Sequence, residues 1–323
     1  MIRRARAAAS VAVALAVLSA VACSDDAPRA STTTTSTTAP AWRTVELLGR
    51  PSALDVSPDG GVVVVDDALG QVQWAAADPA TSVFGPVQVG GPLVGVAASA
   101  PGVLWLIDAT GVATRVPGTD PARQTSVDLG GTLVDVVATA DVAYIGDLEG
   151  RLVVELDATT GAVRGRIPVA DGVVRLALDG DRLWVTGADH TVTPIDLTTG
   201  VAGAPVPVGN GPIGLAVADG TVWVANGDDG TVSRLDAATG DRRGPDADVG
   251  AGPIALSVRG DDVWVLNQDP GTLSHLTAST GRRVEPDIAI PGSIGRARDL
   301  VVSDEGVWIV GTDRAQAAFL PAR

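Results

Sequence analysis

The chain has 323 residues, 46% of them hydrophobic, with 39 Gly and 21 Pro. This is enough for the buried core of one large domain or two small ones. A formal net charge of −15 argues against a nucleic-acid partner, because phosphate contacts need clustered Lys or Arg.

The N-terminus has the pattern of a secretory signal peptide over residues 1–22. Three arginines lie within residues 1–6, an Ala/Val/Leu stretch follows, and residues 20–22 read Ala-Val-Ala. Cys23, the only cysteine, comes next, which resembles the lipobox arrangement of bacterial lipoproteins. We therefore expect a diacylated Cys23 that anchors the chain to a membrane. Cleavage by an ordinary signal peptidase, which leaves a free thiol, is the alternative.

The segment 23–41 consists of Cys23, the expected lipidation site, followed by a stretch rich in Ser, Thr, Pro and Ala. This composition has too little apolar surface to offset the entropy of ordering, so we expect a disordered tether. The expected location is the extracytoplasmic face of the cell membrane, or the secreted fraction if Cys23 is not lipidated.

One hairpin pattern recurs seven times between residues 42 and 323, as in VWVANGDDGTVSRLDAATG at 222–240. One apolar position of the pattern, here called the anchor, recurs every 39 to 44 residues and is aromatic in six of the seven repeats. The anchors are Val63, Trp105, Tyr144, Trp184, Trp223, Trp264 and Trp308. A large apolar residue repeated at one strand position is typical of a core. We therefore expect the anchors to pack between repeats rather than to stack on sugars or bases.

Each repeat also carries an apolar strand before the anchor and a tight turn after it. The turns read LDATTG (156–161), IDLTTG (195–200), LDAATG (235–240) and LTASTG (276–281). The Asp can accept from backbone N–H groups of the turn, and the Gly can adopt positive φ. A further short strand follows, so each unit of about 40 residues has the four strands of a β-propeller blade.

The two ends of the repeat region complement each other. Only 15 residues follow Trp308, enough for a third strand but not a fourth, and WRTVELLG (42–49) has the fourth-strand pattern. If this segment completes the last blade, the ring closes without an unpaired edge. No stretch has the period of a useful helix. We predict an all-β fold: a seven-bladed β-propeller of four-stranded antiparallel blades over residues 42–323.

The stretch GPIGLAVADGTVWVANGDDGTVSRLDAATG (211–240) resembles the repeat of the YVTN-type β-propellers. Residues 252–281 match nearly as well, and the repeats around Val63 and Trp105 are degenerate. The resemblance implies the fold over residues 42–323. It does not imply one activity, because this scaffold hosts lyases, lactonases, dehydrogenases and binding modules.

Residues for catalysis are sparse. His190 and His275 belong to different repeats, which is not a zinc or copper pattern. The similar virginiamycin B lyases use closely spaced His and acidic residues, which this chain lacks. We also find no G-x-S-x-G elbow, Cys/His pair or nucleotide fingerprint. We therefore predict no catalytic residue, no metal ligand and no cofactor.

Two sets of polar positions remain as candidate sites. The first, the rim set, lies three residues after the anchors and comprises Asp66, Asp108, Asp147, Asn226 and Asn267. Oxygen-rich rings of this kind can bind Ca²⁺. The competing interpretation is structural, because Asp and Asn are favoured in hairpin turns.

The second set lies where each strand before an anchor begins, and we expect it at the mouth of the central channel. The positions are Ala53, Gly95, Asp135, Arg175, Gly214, Ala255 and Asp299, with Arg296 and Arg298 beside the last. Asp135, Arg175, Arg296, Arg298 and Asp299 would form a polar ligand site. A salt-bridged plug that only joins the blades is the equal alternative.

The sequence therefore favours a non-catalytic binding or sensing module for a peptide, a glycan or a partner protein. The alternative is a divalent-cation-dependent hydrolase or lyase of the lactonase or virginiamycin-lyase type.

Overall fold

Seven antiparallel sheets form the parts of the chain that the computed structural model describes, residues 41–75, 84–118 and 120–322. The predicted signal peptide, Cys23 and all but the last residue of the tether lie outside these ranges. Each sheet is one blade, and blades are numbered here along the chain. In blades 1 to 6 the inner strand comes first in sequence, and the later strands lie progressively further outward.

The first three blades have four strands each. Blade 1 contains β2 (Pro51–Val56), β3 (Val62–Asp66), β4 (Gln71–Ala75) and β5 (Phe84–Gln88). Blade 2 contains β6 (Leu93–Ala100), β7 (Val103–Asp108), β8 (Val112–Pro117) and β9 (Thr125–Asp128). Blade 3 contains β10 (Leu133–Ala138), β11 (Val142–Asp147), β12 (Leu152–Asp157) and β13 (Val163–Pro168).

The next three blades have short outer strands. Blade 4 contains β14 (Val173–Asp179), β15 (Arg182–Gly187), β16 (Thr191–Asp196), β17 (Val201–Ala202) and β18 (Val206–Pro207). Blade 5 contains β19 (Pro212–Ala218), β20 (Thr221–Asn226), β21 (Thr231–Asp236) and β22 (Ala247–Asp248). Blade 6 contains β23 (Ala251–Arg259), β24 (Asp262–Asp269), β25 (Thr272–Thr277) and β26 (Ile288–Ala289).

Blade 7 is built from both ends of the described chain. It contains β27 (Ala297–Ser303), β28 (Gly306–Gly311), β29 (Gln316–Pro321) and the N-terminal strand β1 (Arg43–Glu46). β1 pairs antiparallel with β29, with Arg43 opposite Phe319 and Glu46 opposite Gln316. The predicted completion of the last blade is therefore confirmed.

The inner strands pack side by side around the ring. Those of consecutive blades contact one another, and β27 of blade 7 contacts β2 of blade 1. The predicted seven-bladed fold is confirmed. Helical structure in the described ranges consists of two 3₁₀ turns, Pro121–Arg123 and Gly292–Ile294. Within the same ranges, we find no helix with the length and apolar character needed to cross a bilayer.

The anchor residues form the contacts between blades, as predicted. Trp105 of blade 2 packs with Ile145 and Leu156 of blade 3, and Trp184 of blade 4 packs with Val222 and Leu235 of blade 5. The other five anchors contact the next blade in the same way. All seven are at most 8% exposed, so they belong to the core rather than to a ligand surface.

The repeated turns also have the predicted chemistry. Oδ1 of Asp157 accepts from the backbone N–H groups of Thr159 and Thr160. Asp196 and Asp236 repeat this arrangement one and two blades later. The glycines that close these turns have φ between +67° and +80°, which favours Gly over any residue with a Cβ.

The outer strands depart from the predicted regular pattern. In blade 4 the fourth strand is divided into β17 and β18, which pair separately with β16. Pro205 lies in the interruption, and Pro245 and Pro286 precede the two-residue outer strands of blades 5 and 6. Proline has no N–H to donate to a neighbouring strand, so strand pairing is interrupted at these positions.

Candidate ligand-binding cavity

A β-bulge occurs at the same place in the inner strand of every blade. The register against the second strand shifts just before Ala53, Gly95, Asp135, Arg175, Gly214, Ala255 and Asp299. Bulges change the direction of the side chains that follow them. The sequence singled out these seven positions as the start of each inner strand, but it gave no sign of the bulge.

These seven residues line one cavity of about 350 Å³. All seven inner strands contribute to its wall, so the cavity lies at the centre of the ring. The volume is at the lower end of the range for small-molecule sites. Small residues occupy four of the seven positions, which leaves space beside the charged side chains of Asp135, Arg175 and Asp299.

Asp135 and Arg175 form an ion pair between blades 3 and 4, with 3.5 Å between Oδ1 of Asp135 and Nη1 of Arg175. Oδ2 of Asp135 also accepts from the backbone N–H of Leu176 at 2.7 Å. The side chains remain 14% and 29% exposed, so both are accessible from the cavity.

The electrostatic environment of this pair is strongly perturbed. Burial raises the pKa of Asp135, although the Arg175 charge opposes the shift. Burial also acts to lower the pKa of Arg175, but the charges of Asp135 and Asp299 raise it overall. Arg175 is therefore protonated at neutral pH.

Asp299 links blade 7 to blade 1. Its Oδ1 accepts from the backbone N–H of Leu300 at 3.0 Å, and its Oδ2 accepts from the N–H of Leu54 at 3.4 Å. Burial raises the pKa of Asp299, and the Arg175 charge opposes this.

Asp55 also lines the cavity, and sequence reasoning missed it. It lies two residues after Ala53, so it faces the same side of β2. Its Oδ1 accepts from the N–H of Val56 and its Oδ2 from the N–H of Ala98 in blade 2, each at 2.8 Å. Burial raises the pKa of Asp55 to about 6, and the charges of Asp299 and Asp135 add to the shift. Extending the predicted set by the two-residue period of a strand would have found this residue.

The cavity carboxylates share one structural role. Asp55, Asp135 and Asp299 each accept from a backbone N–H in the inner strand of the following blade. Ser257 does the same without a charge, because its Oγ accepts from the N–H of Val302 in blade 7 at 3.2 Å. These side chains hold neighbouring blades together, and they also fix the polar groups of the cavity wall in place.

We expect the protein to be more stable near pH 5 than near pH 7.5, and Asp55→Ser to show a smaller gain, with the remainder due to Asp135 and Asp299, whose pKa values burial also raises. The folded-state pKa of about 6 lies above the value of about 4 for an unfolded aspartate, so the folded state binds the proton more tightly. The stabilisation is complete below about pH 4 and is lost as the pH rises through about 6. The difference between the folded and unfolded pKa values of Asp55 corresponds to about 3 kcal/mol at full protonation, of which about 1.4 kcal/mol is gained between pH 7.5 and pH 5. Urea denaturation across this pH range measures it.

Serine is the matched replacement because Ser257 occupies the equivalent position in blade 6. The turn aspartates have the opposite effect on stability, but below the pH range of this experiment. The Arg243 guanidinium and the turn N–H groups hold the pKa of Asp236 at about 2, so its contribution to stability is lost only in strong acid. Equal pH dependence in the wild type and in Asp55→Ser, or a steady loss of stability from pH 7.5 to 5, would contradict the prediction.

The two predicted arginines beside Asp299 lie outside the cavity wall. Arg296 and Arg298 are both exposed, and neither is among the residues that line the cavity. Nη2 of Arg296 donates to Oε1 of Gln268 at 2.7 Å, and its backbone N–H donates to Asp313. The Arg298 charge acts to lower the pKa of Asp299. The structure therefore brings Asp135, Arg175 and Asp299 together and places these two arginines at the surface.

The rim carboxylates are buried in turns. Oδ1 of Asp66 accepts from the N–H of Ala68 and Leu69, and Oδ1 of Asp108 accepts from those of Thr110 and Val112. Asp147 accepts from Thr132 and Gly150 in the same way. Each carboxylate also packs on a glycine, and a Cβ at Gly91 would lie 2.4 Å from Oδ2 of Asp108. These contacts are the turn interactions of the structural interpretation.

The rim amides have a similar environment. Nδ2 of Asn226 donates to Thr231 and Ser233, and Nδ2 of Asn267 donates to Thr272 and Ser274. Both side chains are fully buried. Across residues 41–75, 84–118 and 120–322, no group of three or more His, Cys, Asp or Glu side chains is arranged to hold a metal ion.

The two histidines belong to different blades, 4 and 6, and neither lines the cavity. His190 is in the hairpin turn of blade 4, where its Nδ1 accepts from the N–H of Gly211 at 3.2 Å. His275 lies on β25 and stacks on Trp264, with ring centroids 4.0 Å apart. Its Nε2 contacts Asp262 at 2.8 Å. Both imidazole rings therefore interact with neighbouring residues of the propeller rather than with the cavity.

No protein-family model matches the chain, and no curated protein matches it. Solved structures share its fold. Virginiamycin B lyase from Staphylococcus aureus is 14% identical with a TM-score of 0.75, covering 88% of this chain and 99% of the lyase. A chain of the Mitotic Checkpoint Complex is 18% identical with a TM-score of 0.76, covering 94% and 99%. The WD40 β-propeller domain of Doa1 is 14% identical with a TM-score of 0.69, covering 87% and 96%. At these identities the similarity shows the fold alone.

Proposed function

We propose that this protein is an exported, lipid-anchored β-propeller that binds a peptide, a glycan or a partner protein without changing it chemically. The observation that carries the proposal is the central cavity. Its charged side chains are fixed by hydrogen bonds to neighbouring blades and remain partly accessible. A preformed cavity with a few converging polar groups is the usual form of a binding site.

The same hydrogen bonds argue for binding rather than catalysis. Both oxygens of Asp55 and of Asp299 accept from backbone N–H groups, and Asp135 is held by Arg175 and Leu176. A general base must reach a substrate proton directly or through one water. Carboxylates held by two donors serve better as fixed recognition groups. Similarity to a chain of the Mitotic Checkpoint Complex supports protein binding as one use of such a ring.

A thermal-shift screen of the purified protein against short peptides and cell-envelope oligosaccharides tests this function. We expect at least one class to raise the melting temperature, and Arg175→Met to abolish the shift, because a ligand that binds only the folded state stabilises it. Mass spectrometry should recover the bound compound unchanged. Arg164→Met, which removes an arginine that lies on the outer strand β13, pairs with Asp157 and is outside the cavity wall, is the control and should retain the shift.

The alternative of a divalent-cation-dependent hydrolase or lyase makes the opposite prediction. The ligand would then be recovered as product, and the conversion would need added Ca²⁺ and stop with EDTA. That result, or the absence of any stabilising compound, would contradict the binding function.

We further propose that Cys23 carries the membrane anchor and that the repeats belong to the YVTN type. The signal pattern at residues 1–22 and the repeat at 211–240 support these two assignments. We expect the full-length protein to fractionate with membranes and Cys23→Ala to appear in the soluble exported fraction, because diacylation gives stable anchoring. Immunoblots of the fractions measure this. An unchanged distribution in Cys23→Ala would contradict lipidation.

A further inference from the structure

The free edges of the inner strands supply hydrogen-bond donors to the cavity. In blades 1 and 4, the residue after the bulge position donates its N–H to a carboxylate of the preceding blade: Leu54 to Asp299, and Leu176 to Asp135. Each inner strand pairs on one side only, so these N–H groups face the centre of the ring.

Leu215 of blade 5 and Leu256 of blade 6 occupy the equivalent positions. They follow the bulge by the same spacing, have the equivalent register against the second strand, and line the cavity. The preceding blades offer Arg175 and Gly214 where blades 3 and 7 offer a carboxylate. Among the described residues, no side chain accepts from the N–H of Leu215 or of Leu256.

Arg175 adds further donors on this side of the cavity. Its guanidinium has five N–H groups, and its one side-chain hydrogen bond to a described residue is the 3.5 Å contact with Asp135. Blades 4 to 6 therefore present a guanidinium and two backbone N–H groups that have no side-chain acceptor among the described residues. Val96 of blade 2 has the equivalent N–H, but its blade contributes no cation to the cavity wall. A carboxylate can accept from donors of this kind. In blades 1 and 4 the carboxylates of Asp299 and Asp135 accept from the equivalent N–H groups, so a ligand carboxylate would take the same role in blades 5 and 6.

The cavity wall formed by blades 7 and 1 carries carboxylates, which are acceptors rather than donors. Asp299 and Asp55 belong to blades 7 and 1. Together with Asp135 they outnumber Arg175, whose guanidinium is the one cation that the described residues contribute to the cavity wall. Arg175 interacts with Asp135 and Asp299, whereas the charges that act on Asp55 are those of the other two aspartates. A ligand that brings only a carboxylate would be repelled, so it must also carry a cation, and Asp55 is the least compensated partner for it.

We propose, resting on the binding function above, that the cavity takes a small zwitterion, an amino acid or short peptide whose carboxylate contacts Arg175 and whose ammonium group contacts Asp55. The volume of about 350 Å³ suits a ligand of one to a few residues. Donors on one wall and acceptors on the other set the direction in which the ligand lies.

Isothermal titration calorimetry with alanine, dialanine and trialanine tests this, because each added residue separates the terminal charges by about 3.5 Å. We expect one length to bind best. Amidation of its C-terminus and acetylation of its N-terminus should each weaken binding at least tenfold. Arg175→Met should remove the difference between free acid and amide, and Asp55→Ser should remove that between free and acetylated amine.

Arg164→Met is the control for loss of an arginine that pairs with an aspartate. Arg164 lies on the outer strand β13, outside the cavity wall, and pairs with Asp157, so the variant should bind all probes like the wild type. Asp55→Ser keeps an acceptor for the N–H of Ala98, so loss of blade contact does not account for its effect. The inference is overturned if no alanine compound binds, or if the blocked forms bind as well as the free ones. In either case the broader binding function survives when a compound from the peptide and oligosaccharide screen still gives an Arg175-dependent thermal shift. It fails as well when none does.

Discussion

Deleting residues 41–47 should destabilise the protein by more than about 5 kcal/mol, because this segment supplies the strand that closes the ring. β1 pairs with β29 along four residues, and Val45 and Leu47 are buried with Trp308 and Phe319. Removing the segment uncovers this apolar surface and leaves β29 as an unpaired edge. Chemical denaturation with tryptophan fluorescence measures the loss, and size-exclusion chromatography should show aggregation.

A point variant isolates the packing contribution of β1. Val45→Asp places a carboxylate at a position that is 7% exposed, and we expect a loss of about 4 kcal/mol. Thr44→Ala, on the exposed side of the same strand, should change the free energy of unfolding by less than about 0.5 kcal/mol. A deletion protein as stable as the wild type would show that closure of blade 7 does not depend on β1.

Trp184→Ala should cost about 3–5 kcal/mol, the range for a large core side chain replaced by a small one. Trp184 is fully buried between blades 4 and 5. Its Nε1 has no hydrogen-bond partner among the described residues, so its contribution comes from packing. Trp184→Phe should therefore cost less than about 2 kcal/mol, and Trp184→Tyr should also be tolerated, because blade 3 has Tyr144 at the anchor position.

Trp74→Ala is the matched control, since this tryptophan lies off the anchor position and is half-buried. We expect it to cost less than half as much as Trp184→Ala. Equilibrium denaturation compares the four variants. Equal losses in Trp74→Ala and Trp184→Ala would mean that the anchor position has no special role between blades.

The cavity residues that could be predicted from sequence are those that occupy the same position in each inner strand. Asp135, Arg175 and Asp299 begin equivalent inner strands, so the repeat alone placed them at one end of the ring. Asp55 and Ser257 were missed because their role depends on the N–H groups of Ala98 and Val302 in the following blades. The spacing also grouped Arg296 and Arg298 with Asp299, whereas the structure places both arginines at the surface.

The sequence by itself determined the number of blades, the anchor positions, the Asp–Gly turns and the closing strand. These depend on local periodicity and on turn chemistry, both of which are repeated along the chain. Tertiary structure alone decided which polar side chains meet in the cavity, how burial raises the pKa of Asp55, and which N–H groups of the inner strands have no side-chain acceptor among the described residues. Such properties arise between strands about 40 residues apart, where the bulges and the spacing of neighbouring blades set the distances.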